Sequence, residues 1–84
     1  MIKIKKTKKY TKYSKNGKLH REDGPAIERV NGDKAYYVND KLHREDGPAV
    51  EYSNGYKVYW YHGEQIEVNS TEEFIRMINL IVLW

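Results

Sequence analysis

An 84-residue chain without cysteine has room for one domain, holds no disulfide staple and offers no thiolate for metal or redox chemistry. Its formal charge of +3 is unevenly spread: residues 1–18 carry eight lysines and no acid, whereas residues 19–84 carry seven bases against twelve acids, so the two parts stand at +8 and −5. That split excludes a uniformly basic body and points to a cationic surface for a polyanion, mounted on a scaffold that is not itself basic.

The chain opens with Ile2-Lys3-Ile4-Lys5. A period of two puts both isoleucines on one face and the lysines on the other, as in a half-buried edge strand. Beyond Lys5 the apolar signal fades, and residues up to 15 read as a continuation of the strand or as an arm that orders on binding. The Lys-rich start is followed by no apolar stretch of signal-peptide length, and the apolar run from Leu80 to Trp84 is too short to span a bilayer. The expectation is a soluble protein of the cytoplasm with no membrane partner.

Residues 16–67 are dominated by a repeat. Leu19-His20-Arg21-Glu22-Asp23-Gly24-Pro25-Ala26 returns as Leu42-His43-Arg44-Glu45-Asp46-Gly47-Pro48-Ala49, at an offset of 23 residues. The offset extends to Ile27 and Val50, to Asn31-Gly32 and Asn54-Gly55, to Tyr36 and Tyr59 and to Tyr37 and Trp60, with partial copies on either side. Asn16-Gly17 suits a type I′ turn, whose central residues both need positive φ, and Asn31-Gly32 and Asn54-Gly55 read as the same device. Turns at this density, with Tyr and Val between them, predict an antiparallel meander with strands over 26–30, 34–38, 49–53 and 56–61 and stubs around Leu19, Leu42 and Ile66. Alternation groups Ala35, Tyr37, Val58 and Trp60 as core-facing, and Tyr36, Tyr59 and Tyr61 as outward-facing.

At Asn69 the pattern changes. Ser70 followed by Glu73 is a capping box, and the next residues repeat at helical spacing, which predicts a helix from about Thr71, within a C-terminal segment 70–84. Phe74, Ile75, Met77, Ile78, Ile81 and Val82 occupy most of its circumference. A small sheet covers one side only, so Phe74, Met77, Ile78, Ile81 and Trp84 are candidates for a homodimer contact. The whole is expected to be one α+β domain: an antiparallel β-meander of tandem 23-residue hairpin repeats, closed by one C-terminal α-helix.

The octapeptide contains the parts of an acid–base site, a histidine beside an arginine and two carboxylates. Catalysis needs one converging constellation, however, and two identical copies one period apart form a ladder. Arg21 and Asp23 are better employed in pairing with the next repeat, with Gly24-Pro25 and Gly47-Pro48 redirecting the chain. His20, His43 and His62 are kept apart by the same spacing, which argues against a metal site. No phosphate-binding glycine loop or nucleophile elbow is present. The expectation is a non-enzyme without cofactor or metal.

The stronger signal is the lysine tract. Lys3, Lys5, Lys6, Lys8, Lys9, Lys12, Lys15 and Lys18 suit salt-sensitive, sequence-independent contact with phosphates. Tyr10 and Tyr13 among them offer rings on which unpaired bases stack, which favours a single strand. The plainer alternative is a lysine-rich edge that blocks sheet-to-sheet aggregation. A further set, Tyr36, Tyr59, Trp60 and Tyr61, suits a protein partner, aromatic anchors being frequent hot spots.

The octapeptide with its Asn-Gly hairpin and Tyr/Trp-rich strand, over roughly residues 13 to 67, resembles repeats of tailed-phage and large-virus proteins that are distantly similar to MORN hairpins. Within that group a small basic protein is similar to the T4-type phage inhibitors of the ToxIN toxin–antitoxin system. The resemblance implies a phage-encoded RNA-binding protein that blocks an endoribonuclease toxin without enzymatic activity, with single-stranded RNA and the toxin as partners. The rival reading is a protein-interaction module with no nucleic-acid role.

Overall fold

The computed structural model describes residues 2–82, and shows a small α+β protein in which an antiparallel meander is followed by one C-terminal helix. The strands are β1 (Ile2–Lys6), β2 (Tyr10–Lys15), β3 (Lys18–Leu19), β4 (Ile27–Arg29), β5 (Lys34–Ala35), β6 (Tyr37–Val38), β7 (Lys41–Leu42), β8 (Val50–Glu51), β9 (Lys57–Tyr61) and β10 (Glu64–Ile66), and α1 spans Thr71–Val82. The main sheet runs β1-β2-β4-β5-β8-β9-β10, with β3 added to β2 and with β6 and β7 paired beside it. Its extents of 39 × 30 × 17 Å and radius of gyration of 13.2 Å exceed the roughly 12 Å of an average domain this size. The molecule is a long slab, with β1 at one edge and β10 at the other. Among the described residues no helix is long and apolar enough to cross a membrane.

Turn chemistry sets this path. Asn16 and Gly17 adopt φ of 53° and 77°, Asn39 and Asp40 of 50° and 67°, and His62 and Gly63 of 48° and 83°, so all three pairs make two-residue hairpins with both central residues left-handed. Asn31-Gly32 and Asn54-Gly55, expected to do the same, do not. There only the glycine has positive φ, and the asparagine side chain accepts the N–H two residues on, Asp33 at 3.0 Å and Tyr56 at 2.9 Å. These are three-residue connections, closed by the bonds from Arg29 N–H to the Asp33 carbonyl and from Tyr52 N–H to the Tyr56 carbonyl.

Registers across the sheet sort the side chains. Lys5 faces Lys12, Lys12 faces Ile27, Ile27 faces Ala35, Ala35 faces Val50 and Val50 faces Val58, a continuous row on one surface. On the opposite surface Thr11, Glu28, Lys34, Glu51 and Lys57 follow each other, an alternation of charge that lies beside both octapeptides.

The core lies at the β9–β10 end. Phe74 is fully buried and Ile78 nearly so; both pack on Tyr59 with Tyr61, Ile66 and Val68 around them. Ser70 caps α1 as expected, its hydroxyl accepting the Glu73 N–H at 3.1 Å. One expectation is corrected here. Tyr59 is a core residue, 8% exposed, while its neighbour Trp60 lies on the other surface, because α1 covers the face expected to be outward. The sheet covers one side of the helix, through Phe74 and Ile78, and leaves Ile75, Met77, Leu80 and Ile81 exposed.

Candidate nucleic-acid interface

The lysine tract is a β-hairpin. β1 and β2 pair over their whole lengths, from Ile2 opposite Lys15 to Lys6 opposite Thr11. The Thr7 hydroxyl closes the turn by accepting the N–H groups of Lys9 and Tyr10, each at 3.1 Å, and the Thr7 N–H donates to the Tyr10 carbonyl at 2.8 Å. Lys8 and Lys9 are thereby held at the tip, and Val30 anchors the turn to the body by donating to the Lys9 carbonyl.

Two cross-strand pairs along the tract are like-charged: Lys5 lies opposite Lys12 across β1 and β2, and Lys15 opposite Lys18 across β2 and β3. Such pairs disfavour the isolated fold by a few tenths of a kcal/mol and concentrate positive potential. Among the described residues every ion pair uses arginine or histidine, and none uses a lysine. Seven of the eight tract lysines are exposed, and Lys12 is half-buried, with its Nζ 4.7 Å from the centre of the Tyr10 ring.

The expected residues divide between the two surfaces. Lys3, Lys5 and Lys12 share the surface that carries Ile27, Ala35 and Val50; Lys6 and Lys15 point to the opposite one. Arg29 lies opposite Tyr10 and so joins the first group, although it lies outside the tract. Tyr13 faces the other way, against Ile4, with the Arg21 guanidinium 4.0 Å from its ring centre, so one of its two faces is already taken.

The octapeptides explain that cover. Arg21 bonds Asp23 at 3.1 Å, the Pro25 carbonyl at 3.2 Å and Glu28 at 2.9 Å, and Arg44 bonds Asp46 at 2.8 Å, the Pro48 carbonyl at 3.0 Å and Glu51 at 3.1 Å. These bonds fall inside each copy, not between copies as expected, because each arginine folds back over its own Gly-Pro bend. Burial works against the charge of Arg44, but the hydrogen bond it donates to Asp46 and its Coulombic interactions with Tyr36, Asp46 and Glu51 outweigh it, and its pKa stands above the ordinary value. A guanidinium with its donors so engaged is a structural strut.

The histidines serve the same framework. His20 is buried, and its Nδ1 accepts the Asn39 N–H at 3.1 Å; His43 Nδ1 accepts the His62 N–H at 2.9 Å. The His43 and His62 rings stack at 4.1 Å, closer than repeat spacing suggested, because the turn at His62 folds back onto His43. Burial, then the charge of His62, lowers the His43 pKa against the pull of Glu45. Among the described residues no three His, Asp or Glu side chains are grouped to hold a metal ion.

The set expected to meet a protein partner does not form one surface. Tyr36 is half-buried under Arg44 at 4.0 Å, Tyr59 lies against Phe74 with its hydroxyl 2.8 Å from that of Thr71, and Tyr61 packs on His43 and His62. Trp60 faces the opposite side, beside Gln65. Of the expected dimer contacts, Phe74 and Ile78 are consumed inside the chain, Met77 and Ile81 are exposed, and Trp84 lies outside the described residues. Sequence reasoning passed over Arg29 and Tyr52, whose place on the surface of Lys5 and Lys12 follows from strand register. No protein-family model, no curated protein and no solved structure matches this chain.

Proposed function

We propose that this chain is a non-enzymatic, phage-encoded RNA-binding protein that inhibits a host-defence endoribonuclease toxin in the host cytoplasm, built on tandem 23-residue hairpin repeats. The observation that carries the RNA part is the β1–β2 hairpin, whose lysines make no ion pair among the described residues although the rest of the chain supplies twelve acids. Clustered ammonium groups without a carboxylate partner are open to the phosphates of a polyanion. Two opposed lysine pairs support the same choice. The repeat architecture is supported by the recurrence of the same arginine bonds and the same histidine-to-backbone bond 23 residues apart.

In this reading single-stranded RNA lies on the hairpin at one end of the slab and the toxin meets the other end, so that the protein bridges them. The resemblance noted for the octapeptide supplies the toxin. The test is an RNA-binding titration across salt concentrations with the unaltered protein and with a variant carrying Lys3, Lys5, Lys9 and Lys12 all changed to Ala; the variant binds more weakly and with a flatter salt dependence. A second reading, a protein-interaction module without RNA, is favoured by the exposed apolar side chains of Met77, Leu80 and Ile81, which adjoin on α1. Retention of the toxin after complete ribonuclease digestion, with no RNA binding by the purified protein, marks that reading.

A further inference from the structure

Next to the bare lysines, the same surface of the sheet holds a groove. Ile27, Ala35 and Val50, consecutive in the row that begins with Lys5 and Lys12, form its half-buried floor. Tyr37 and Tyr52 line it, and Arg29 stands at its rim together with Asp33, whose carboxylate accepts the Ser53 N–H at 2.7 Å and an N–H of the Asn31 side chain at 3.2 Å. The space between them is about 270 Å³. Tyr52 is 44% exposed and is flanked by Tyr56, 64% exposed, with ring centres 5.9 Å apart.

The contents of the two surfaces differ in kind. On the other side each aromatic ring at the 23-residue spacing is covered: Tyr13 by Arg21, Tyr36 by Arg44 and Tyr59 by Phe74. On the groove side the rings of Tyr37 and Tyr52 border open space, with no helix above them. An apolar floor with aromatic walls is poor company for water and suits a flat, apolar-faced group. A cationic pair on the adjoining strands, about 5 Å away per strand, fixes what that group is attached to.

We infer that this groove receives bases of a single-stranded nucleic acid whose phosphates run along Lys5, Lys12 and Arg29. The inference rests on the RNA-binding reading and gives that surface its second half. Phosphate contact alone distinguishes nothing about the strand, whereas stacking on Tyr52 and Tyr37 requires bases that are not paired. The groove has no histidine or asparagine on its floor to read base edges, so its choice is for unpaired bases over duplex and not for one sequence.

The test compares an oligouridylate of about ten nucleotides with an abasic ribose–phosphate chain of the same length, within the usual span of such sites. Y52A weakens binding of the oligouridylate about tenfold and leaves the abasic chain unchanged, since stacking on one ring is lost and the phosphate contacts remain. Y52F, which keeps the ring, binds both like the unaltered protein. Tyr52 is exposed and outside the α1 core, so the substitution leaves the fold in place. Equal affinity of Y52A and the unaltered protein for the oligouridylate, or an equal loss on both chains, overturns this inference alone. Failure of the unaltered protein to bind either chain overturns the RNA-binding reading as well.

Discussion

The guanidinium carbon of Arg44 lies 4.0 Å from the centre of the Tyr36 ring, with Asp46, the Pro48 carbonyl and Glu51 taking its N–H groups from the sides. One side chain thus joins a strand, a bend and the next strand on the octapeptide side of the sheet. Arg21 and Tyr13 stand in the same relation at the same distance.

Replacing Arg44 with Lys removes the planar fork while keeping the charge. Stability falls by about 1–2 kcal/mol, because an ammonium neither stacks on Tyr36 as a plane nor holds three acceptors at once. For a domain of this size that is a drop of roughly 5–15 °C in melting temperature, read by circular dichroism. An unchanged melting temperature contradicts the role given to the fork.

Gly47 belongs to the same arrangement. A Cβ there meets the Arg44 guanidinium carbon at 3.1 Å, and the arginine is fixed by its partners and has nowhere to retreat. Gly47→Ala therefore costs about 1 kcal/mol despite removing a flexible residue. In the R44A background the same change is neutral or stabilising, and a double-mutant cycle by denaturant titration reads the difference.

Phe74 is the single large side chain fully buried among the described residues, and it covers Tyr59 where Arg21 and Arg44 cover Tyr13 and Tyr36. Phe74→Ala costs about 3–4 kcal/mol, a large share of what so small a domain has. Met77→Ser, on the exposed side of the same helix, changes stability by less than about 0.5 kcal/mol. Equal effects of the two substitutions in urea melts refute this division of the helix.

Much of this was legible in the chain itself, and the parts that were not share one cause. The capping box at Ser70 and Glu73 located α1, and the Asn16-Gly17 dipeptide located the turn between β2 and β3, because both signals are local, whereas the β1–β2 turn at Thr7 carries no glycine or asparagine and reads as part of a strand or arm. Alternation grouped Tyr59 with Tyr61 and separated both from Trp60, but alternation is silent on which side a distant helix settles, so the core was assigned to the wrong surface. The lysines were plain to see. Their freedom from carboxylates was not, since it depends on each arginine occupying Asp23, Glu28, Asp46 and Glu51 first.

Acid destabilises the fold through His43. Its pKa is lower folded than unfolded, chiefly from burial, so as the pH falls below about 6.5 the unfolded chain takes up the proton first. Stability is therefore full above that pH and declines below it until the folded pKa is passed. His43→Gln, which keeps an acceptor for the His62 N–H, flattens the change in urea midpoint between about pH 7 and 5. An unaltered pH profile in this variant contradicts the assignment.

The central claim is that the unpaired lysines of the β1–β2 hairpin hold single-stranded RNA, and its most direct test is the salt dependence of RNA affinity. With Lys3, Lys5, Lys9 and Lys12 changed to Ala, the slope of log K against log salt becomes shallower by about 3, at roughly 0.7 for each phosphate no longer neutralised, and the affinity falls with it. A slope identical to that of the unaltered protein, or no RNA binding by either, contradicts the account.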